Sequence, residues 1–205
     1  MYPGVYRRRT IDAELDQILA QLPAIVIEGP KGVGKTLTAE QRAGSVIRLD
    51  DRAQCEMVQA HPASALRGAR PVLLDEWQRV PEIWDVVRRA VDADGRANQF
   101  LLTGSAAPLR PPTHSGAGRI VPVRMWPMTL AERGIEAPTV SLAELLTHGQ
   151  TTPISGSTAI SVSDYTREIM ASGFPGMRSL SGRALRAQLD GYLAAIVDRD
   201  IPEFG

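Results

Sequence analysis

The chain has 205 residues, of which 43% are hydrophobic and 22% are charged, so it is long and apolar enough to form one α/β domain with a sizeable core. Its 23 basic and 23 acidic residues cancel, which argues against a general attraction to nucleic acid or to anionic lipid. The single cysteine, Cys55, excludes an internal disulfide, and the sequence contains no zinc-ligand spacing. No apolar run approaches the ~20 residues that span a bilayer, and nothing resembles a signal peptide, so we expect a cytoplasmic protein without a membrane partner.

The first predicted elements are a helix and a strand. Residues 11–22 place their apolar side chains on one helical face after the capping-type residue Thr10, and Pro23 ends the helix. Three arginines at 7–9 precede this helix, and we expect them to lie on the solvated surface. The apolar run at 24–28 predicts the first strand.

Residues 29–36 match the phosphate-loop (Walker A) pattern G-x-x-x-x-G-K-[ST] in full, between this strand and a helix-compatible stretch that starts at Leu37. The glycines of such a loop let successive backbone N–H groups point inward as an anion nest, and the following helix adds its positive N-terminal end. The residues that we expect to bind the nucleotide are Gly29, Pro30, Lys31, Gly32, Val33, Gly34, Lys35, Thr36 and Leu37.

Lys35 and Thr36 have the most specific expected roles in this loop. The chain contains only two lysines, Lys31 and Lys35, and its other long basic side chains are all arginine. A compact ammonium group can sit between the β- and γ-phosphates as a point charge, whereas a planar guanidinium group is too wide. The Thr36 hydroxyl would be a ligand of Mg²⁺. The sequence therefore predicts a site for a nucleoside triphosphate.

Strands continue to alternate with helices after the loop. This alternation predicts a three-layer α/β sandwich of the P-loop NTPase type, with a mostly parallel five-stranded sheet and a small C-terminal helical lid. In chain order, the predicted elements are a strand at 45–50, a helical segment to about residue 67, a strand at 71–75, a helix at 81–93, strands at 99–103 and 119–125, and helices at 142–146 and 183–201.

Acidic and hydroxyl residues follow two of the predicted strands. Asp75 and Glu76 end a buried apolar run, as in a Walker B motif, where the aspartate holds the magnesium shell and the glutamate orients or deprotonates the attacking water. Thr103 ends a later strand, where a hydroxyl can contact the γ-phosphate, and Ser105 is a second candidate for this role. Because ligands bind at the carboxyl ends of parallel strands, we expect these residues to lie beside the phosphate loop.

Five segments in this order resemble those of prokaryotic AAA+-type ATPases that carry an additional C-terminal domain of unknown function: GPKGVGKT, VLLDEWQRVPEIW, QFLLTGSA, SGAGRIVPVRMWPMTLAE and SGFPGM. The resemblance implies ATP and Mg²⁺ as cofactors, hydrolysis coupled to a conformational or assembly change, and a capacity to form homo-oligomers. It also implies a role for Arg119 as an arginine that reaches a γ-phosphate, commonly that of a neighbouring subunit, and stabilises the transition state. From the sequence alone, Arg119 could equally be a charge at the edge of a strand.

The resemblance also divides the chain into two parts. Residues 1–135 correspond to the ATPase core and residues 136–205 to a helical lid and linker, in which Gly173 and Pro175 match a lid element over the nucleotide. The family's further C-terminal domain would begin where this chain ends, so we expect that domain to be missing and to mediate partner binding. We expect it to cover an apolar face of the last helix, formed by Leu185, Leu189, Leu193 and Ile196.

Two other functions remain alternatives to an ATPase. A P-loop small-molecule kinase would use Arg110 and Arg119 as lid residues, but it would need a substrate hydroxyl where Glu76 places water. A nucleotide-dependent binding module would bind the nucleotide and hydrolyse it poorly.

The remaining residue types with distinctive chemistry are assigned to the surface or to the core. His61, His114 and His148 lie in polar contexts without ligand spacing, and we expect them at the surface. Trp77, Trp84 and Trp126 are expected to pack in the core or between domains.

Overall fold

The structure is a computed structural model that describes residues 6–104, 114–148 and 154–200. Within these residues, five strands form one sheet in the order β2-β3-β4-β1-β5, and every neighbouring pair is parallel. The predicted α/β sandwich is therefore confirmed. The strands are β1 (Ala24–Glu28), β2 (Ser45–Arg48), β3 (Val72–Asp75), β4 (Phe100–Thr103) and β5 (Ile120–Arg124).

Helices follow the strands and lie on both faces of the sheet. They are α1 (Thr10–Leu19), α2 (Lys35–Glu40), α3 (Arg52–Ala60), α4 (Glu82–Ala93), α5 (Leu142–His148), α6 (Val162–Met170) and α7 (Gly182–Ala195), which continues as a π-helical turn at Ile196–Asp200. Short 3₁₀ helices in the described ranges lie at Pro62–Leu66, Trp77–Arg79 and Pro175–Met177. Two predicted helix starts were late, because α1 begins at Thr10 and α2 begins at Lys35.

The strands contribute side chains to two separate hydrophobic layers, since successive side chains of a strand point to opposite faces of the sheet. Phe100 and Leu102 belong to the layer under α4, together with Val87. Leu101 belongs to the layer on the other face, where Leu15 of α1 packs. Both faces of the central strands are thus covered, which explains why these strands are apolar along their whole length.

The register of the sheet places the ends of three strands at one edge. Thr103, the last residue of β4, pairs with Asp75 of β3 on one side and with Ile27 of β1 on the other. The segment that follows β1 is the phosphate loop. The carboxyl ends of β3 and β4 therefore flank this loop, as expected for a parallel sheet.

Two of the three tryptophans are in the core, as predicted. Trp77 and Trp84 are each 8% exposed, and their ring centroids lie 4.7 Å apart. The prediction for Trp126 was wrong, because its side chain is 63% exposed. Trp126 lies just beyond β5, the edge strand, where it alternates with the exposed Arg124 instead of pointing into the adjacent layer.

The helices after residue 140 are less buried than those of the sheet layers. Neither α6 nor α7 contains a fully buried residue, and the Leu193 side chain of α7 is 59% exposed. His61 and His114 are exposed, as predicted. Of the helices in the described ranges, none has the length and apolar character to cross a membrane.

We predict that Phe100→Ala lowers the free energy of unfolding by about 3–5 kcal/mol, because Phe100 is fully buried between the central strands and α4 and its removal leaves a cavity. Urea denaturation measures this change. Met57→Ala is the matched control, since the Met57 side chain is 48% exposed and its loss should change the stability little. Equal effects of the two substitutions would contradict the described core.

Candidate phosphate-binding site

The phosphate loop has the backbone angles of an anion-binding nest. Gly29, Gly32 and Gly34 have φ angles of 149°, 78° and 109°, a region in which residues with a Cβ atom are strained. Gly34 is the N-cap of α2, and its carbonyl oxygen accepts a hydrogen bond from the Thr38 N–H at 3.0 Å. The glycines that the sequence placed in the loop therefore have the conformation that the pattern requires.

Gly29 is also restricted by a close neighbour. A Cβ atom at this position would lie 2.3 Å from the Met125 carbonyl oxygen, on the segment that follows β5. The Met125 N–H in turn donates to the Glu28 carbonyl oxygen at 2.7 Å. The start of the loop is thus packed against backbone, whereas a Cβ atom at Gly32 would meet nothing within 4 Å.

Lys35 folds back onto the loop. Its Nζ donates to the carbonyl oxygens of Gly29 at 2.8 Å and Pro30 at 2.9 Å, and the residue is 6% exposed. Burial lowers the pKa of Lys35, and the carboxylates of Glu76 and Asp75 oppose this shift. The ammonium group lies inside the loop, among groups that favour its charge, and it can turn from the two carbonyl oxygens to an incoming anion.

Asp75 joins the loop helix to the neighbouring strand. Its Oδ1 atom accepts hydrogen bonds from the Thr36 hydroxyl at 2.8 Å and from the Thr103 hydroxyl at 2.5 Å. Asp75 and Thr103 are buried, with 5% and 1% of their surface exposed. The structure therefore brings together three residues that were predicted from three separate segments of the sequence.

The oxygen atoms of Thr36 and Asp75 suit Mg²⁺. Two ligands at adjacent corners of an octahedral Mg²⁺ site lie about 3.0 Å apart, close to the 2.8 Å between Thr36 Oγ1 and Asp75 Oδ1. Both are hard oxygen donors, and Mg²⁺ usually takes one or two protein ligands and completes its shell with water and phosphate oxygens. Among the described residues, no three or more His, Cys, Asp or Glu side chains form a cluster that could hold a metal ion.

Glu76 is held in an unusual conformation beside this centre. Its φ angle is 56°, which is uncommon for a residue with a side chain, and such strain is typical of functional positions. Its Oε2 atom accepts a hydrogen bond from Gln78 Nε2 at 2.5 Å. The side-chain amide oxygen of Gln78, Oε1, is buried without a hydrogen-bond partner in the described structure, and it lies 2.6 Å from the position of a Cβ atom at Gly104. Gln78 therefore fixes the carboxylate, and Gly104 leaves the room for it.

Some predicted residues do not join the site. Arg119 directly precedes β5, whose first residue pairs with Ala24, the first residue of β1. Arg119 therefore lies at the amino end of the strands, whereas the phosphate loop follows their carboxyl end. The five residues of β1 separate the two by about 16 Å. Its Nε donates to Asp92 at 2.8 Å. Arg119 does not reach the phosphate loop of its own chain, and its contact with a neighbouring subunit stays a prediction. Leu37 follows Thr36 on α2 with its side chain 53% exposed, and its contact with a nucleotide stays a prediction. Ser105 and Arg110 lie outside the described residues, so their roles stay predictions as well.

Arg9 also contacts the phosphate loop, although it was not among the predicted site residues. The arginines at 7–9 were expected to be solvated, and this was wrong for Arg9, which is 6% exposed. Its Nη1 donates to the Val33 carbonyl oxygen at 2.9 Å, and its Nη2 donates to the Trp126 carbonyl oxygen at 2.7 Å. Arg7 and Arg8 are exposed, as expected. A run of three arginines does not show which one turns inward, because that depends on the tertiary contacts of the loop.

The C-terminal segment reaches the same loop. The Tyr192 hydroxyl of α7 donates to the Lys31 carbonyl oxygen at 3.1 Å, and the Tyr192 ring packs against Phe174 with centroids 5.3 Å apart. Pro175 Cγ lies 3.9 Å from the position of a Cβ atom at Gly34. The predicted lid element therefore lies beside the phosphate loop.

We predict that Gly29→Ala abolishes high-affinity nucleotide binding, because its Cβ atom would collide with the Met125 carbonyl group and displace the start of the loop. Gly32→Ala is the matched control. It has a positive φ angle but open space, so it should cost only about 1–2 kcal/mol of backbone strain. Titration with ATP and thermal unfolding of both variants measure the difference. Equal losses of affinity would argue against a closely packed loop start.

We predict that Lys35→Ala abolishes ATP binding and leaves the fold intact, because the ammonium group donates to two carbonyl oxygens within the loop itself, so that the loss is confined to the loop. Calorimetric titration and circular dichroism measure the two properties. Because the pKa of Lys35 is lowered, the affinity of the wild-type protein for ATP should fall as the pH rises, starting below the range in which ordinary lysines titrate. Lys31→Ala should keep this pH dependence, since Lys31 is exposed. Unchanged affinity in Lys35→Ala would refute the assignment.

Comparisons with known proteins agree with this geometry. Residues 21–133, more than half of the chain, match a family model described as an AAA domain, and this range contains the phosphate loop, Asp75, Glu76 and Thr103. Two curated relatives are the uncharacterized protein Rv2008c of Mycobacterium tuberculosis and the uncharacterized protein Mb2031c of Mycobacterium bovis, each 26% identical over 211 residues. The alignments cover 97% of this chain and 40% of each relative, so the chain spans less than half of their length. The chain belongs to the AAA domain family, and its fold and phosphate loop are those of an AAA-type P-loop ATPase.

Proposed function

We propose that the protein binds ATP with Mg²⁺ and hydrolyses it, coupling the nucleotide state to a conformational or assembly change. One observation carries this proposal: a single carboxylate oxygen, Asp75 Oδ1, accepts hydrogen bonds from the hydroxyl groups of Thr36 and Thr103 beside the phosphate loop. Membership of the AAA domain family supports the same function.

The loop residues would bind the triphosphate. The inward N–H groups of the nest contact its oxygen atoms, and Lys35 leaves the carbonyl oxygens of Gly29 and Pro30 to lie between the β- and γ-phosphates. Thr36 and Asp75 would hold Mg²⁺, which neutralises phosphate charge when it is bound. Desolvation inside the loop strengthens each of these electrostatic contacts.

Glu76 and Thr103 would act on the reaction itself. Glu76 accepts the proton of the attacking water, whose oxygen forms a bond to the γ-phosphorus while the bond to the β,γ-bridging oxygen breaks and ADP leaves with the electron pair. Thr103 can turn its hydroxyl from Asp75 to a γ-phosphate oxygen. Arg119 is proposed to contribute to the site of a neighbouring subunit in a homo-oligomer, because it lies far from its own loop.

A second candidate function is a nucleotide-dependent binding module with little hydrolysis. The hydrogen bond from Gln78 to Glu76 favours it, because this bond occupies one carboxylate oxygen that would otherwise be available to the attacking water. The kinase alternative loses support, since Arg119, one of its two lid residues, lies at the far end of the sheet.

The region after the ATPase core is proposed to act as a helical lid. Residues 136–205 include α7, whose Tyr192 contacts the phosphate loop, so a change in the loop on nucleotide binding would reach this helix directly. We also propose a cytoplasmic location and binding of further partners through the apolar face of α7 around the exposed Leu193.

We predict that Glu76→Gln lowers steady-state phosphate release from ATP by about 10²–10⁴-fold and keeps ATP binding, because it removes the proton acceptor but preserves the shape of the side chain. Glu82→Gln, a change of an exposed glutamate at the start of α4, is the matched control and should leave the rate unchanged. Release that requires an added acceptor would support a kinase. Tight binding without release by the wild-type protein would support the binding module.

A further inference from the structure

The carbonyl groups of the phosphate loop are held by side chains from three separate segments. Lys35, within the loop, donates to the carbonyl oxygens of residues 29 and 30, and Tyr192 of α7 donates to that of Lys31. Arg9, from the segment before α1, donates to that of Val33. On nucleotide binding Lys35 would leave its carbonyl oxygens, so the contacts from outside the loop are those that remain.

Arg9 makes the more buried of the two outside contacts. Its side chain is 4% exposed, whereas the contact of Tyr192 is at the surface. The two terminal nitrogens of the guanidinium group reach different segments, the loop at Val33 and the segment after β5 at Trp126, at 2.9 and 2.7 Å. Each carbonyl oxygen is reached by a different nitrogen of one rigid plane, and the single nitrogen of an ammonium group does not reproduce this spacing.

Glu132 neutralises Arg9 and stays ionised. Its Oε1 lies 3.2 Å from Arg9 Nε, and its side chain is 8% exposed. Burial opposes the charge, but the backbone N–H groups of Thr10 and Thr129, which donate at 2.6 and 2.7 Å, together with the Arg9 guanidinium, hold the pKa of Glu132 below its usual value. The pair is therefore fixed by backbone on both sides, and Arg9 has little freedom to leave the loop.

We propose that Arg9 is a positioning residue for the phosphate loop. It holds the Val33 carbonyl group pointing out of the loop, so that the neighbouring N–H groups face the triphosphate. This inference rests on the proposed function. Arg9 acts through the loop, since its Nη1 donates to the Val33 carbonyl oxygen and lies 3.5 Å from the position of a Cβ atom at Gly34.

The test replaces Arg9 by lysine, which keeps the positive charge but lacks the planar guanidinium group with its two terminal nitrogens. We expect Arg9→Lys to raise the Kd for Mg-ATP about tenfold or more, the effect of losing a charge-assisted hydrogen bond in the loop. In the ligand-free protein, the amide hydrogens of residues 31–36 should exchange faster by mass spectrometry. Arg8→Lys is the matched control, because the Arg8 side chain is 73% exposed, and it should change neither property.

Chemical rescue separates positioning from a general loss of stability. Arg9→Ala should regain ATP affinity in millimolar guanidinium chloride and not in sodium chloride, because a free guanidinium ion can occupy the space that the Arg9 side chain leaves. An affinity of Arg9→Lys within twofold of the wild-type value, or no rescue of folded Arg9→Ala, would overturn the proposal. It would also fail if neither variant folded, since a residue that only positions a loop is not needed for folding.

The two proposals fail in different ways. If the wild-type protein binds no ATP, the proposed function is wrong, yet the exchange rates of the ligand-free loop still report on Arg9. If the wild-type protein binds ATP and the loop amides of Arg9→Lys exchange as in Arg8→Lys, the positioning role is wrong and the proposed function stands.

Discussion

The structure depends on the direction in which the phosphate loop turns its peptide groups. N–H groups can face an anion only if the carbonyl groups beside them face away, and a buried carbonyl group without a donor is costly. The glycines at 29, 32 and 34 permit this arrangement, and donors from Lys35, Arg9 and Tyr192 hold it. The loop is therefore shaped by segments far apart in the chain, from the residues before α1 to α7.

The parallel sheet determines what stands opposite this loop. The pairing of Asp75 with Thr103 sets a carboxylate and a hydroxyl side by side at the carboxyl edge, and Thr36 meets the same carboxylate oxygen from the first turn of α2. One atom thus links two strands to the loop helix. A ligand that pulls Thr36 or Thr103 toward itself changes the hydrogen bonds of Asp75, which gives the strand ends a direct means of sensing the bound group.

Local sequence predicted the parts of the site that local chemistry determines. The loop pattern, the acidic pair after β3 and Thr103 after β4 could be found because strand, turn and side-chain type are adjacent in the sequence. Arg9 and Trp126 were assigned wrongly because their environments are formed by segments distant in the sequence. Arg9 is buried where it donates to the Val33 carbonyl oxygen of the loop, and Trp126 is exposed because it follows β5, the edge strand. Arg119 matched a family position, but only the register of β5 shows that it lies at the far end of the sheet.

A crystal structure with Mg²⁺ and a non-hydrolysable ATP analogue would show whether the loop binds the triphosphate. We expect Lys35 Nζ to leave the carbonyl oxygens of Gly29 and Pro30 and to lie between the β- and γ-phosphates, while Arg9 keeps its hydrogen bond to the Val33 carbonyl oxygen. The proposed nucleotide site would be contradicted if the loop were empty at a saturating concentration of the analogue. It would also be contradicted if the analogue bound elsewhere while Lys35 kept its present contacts.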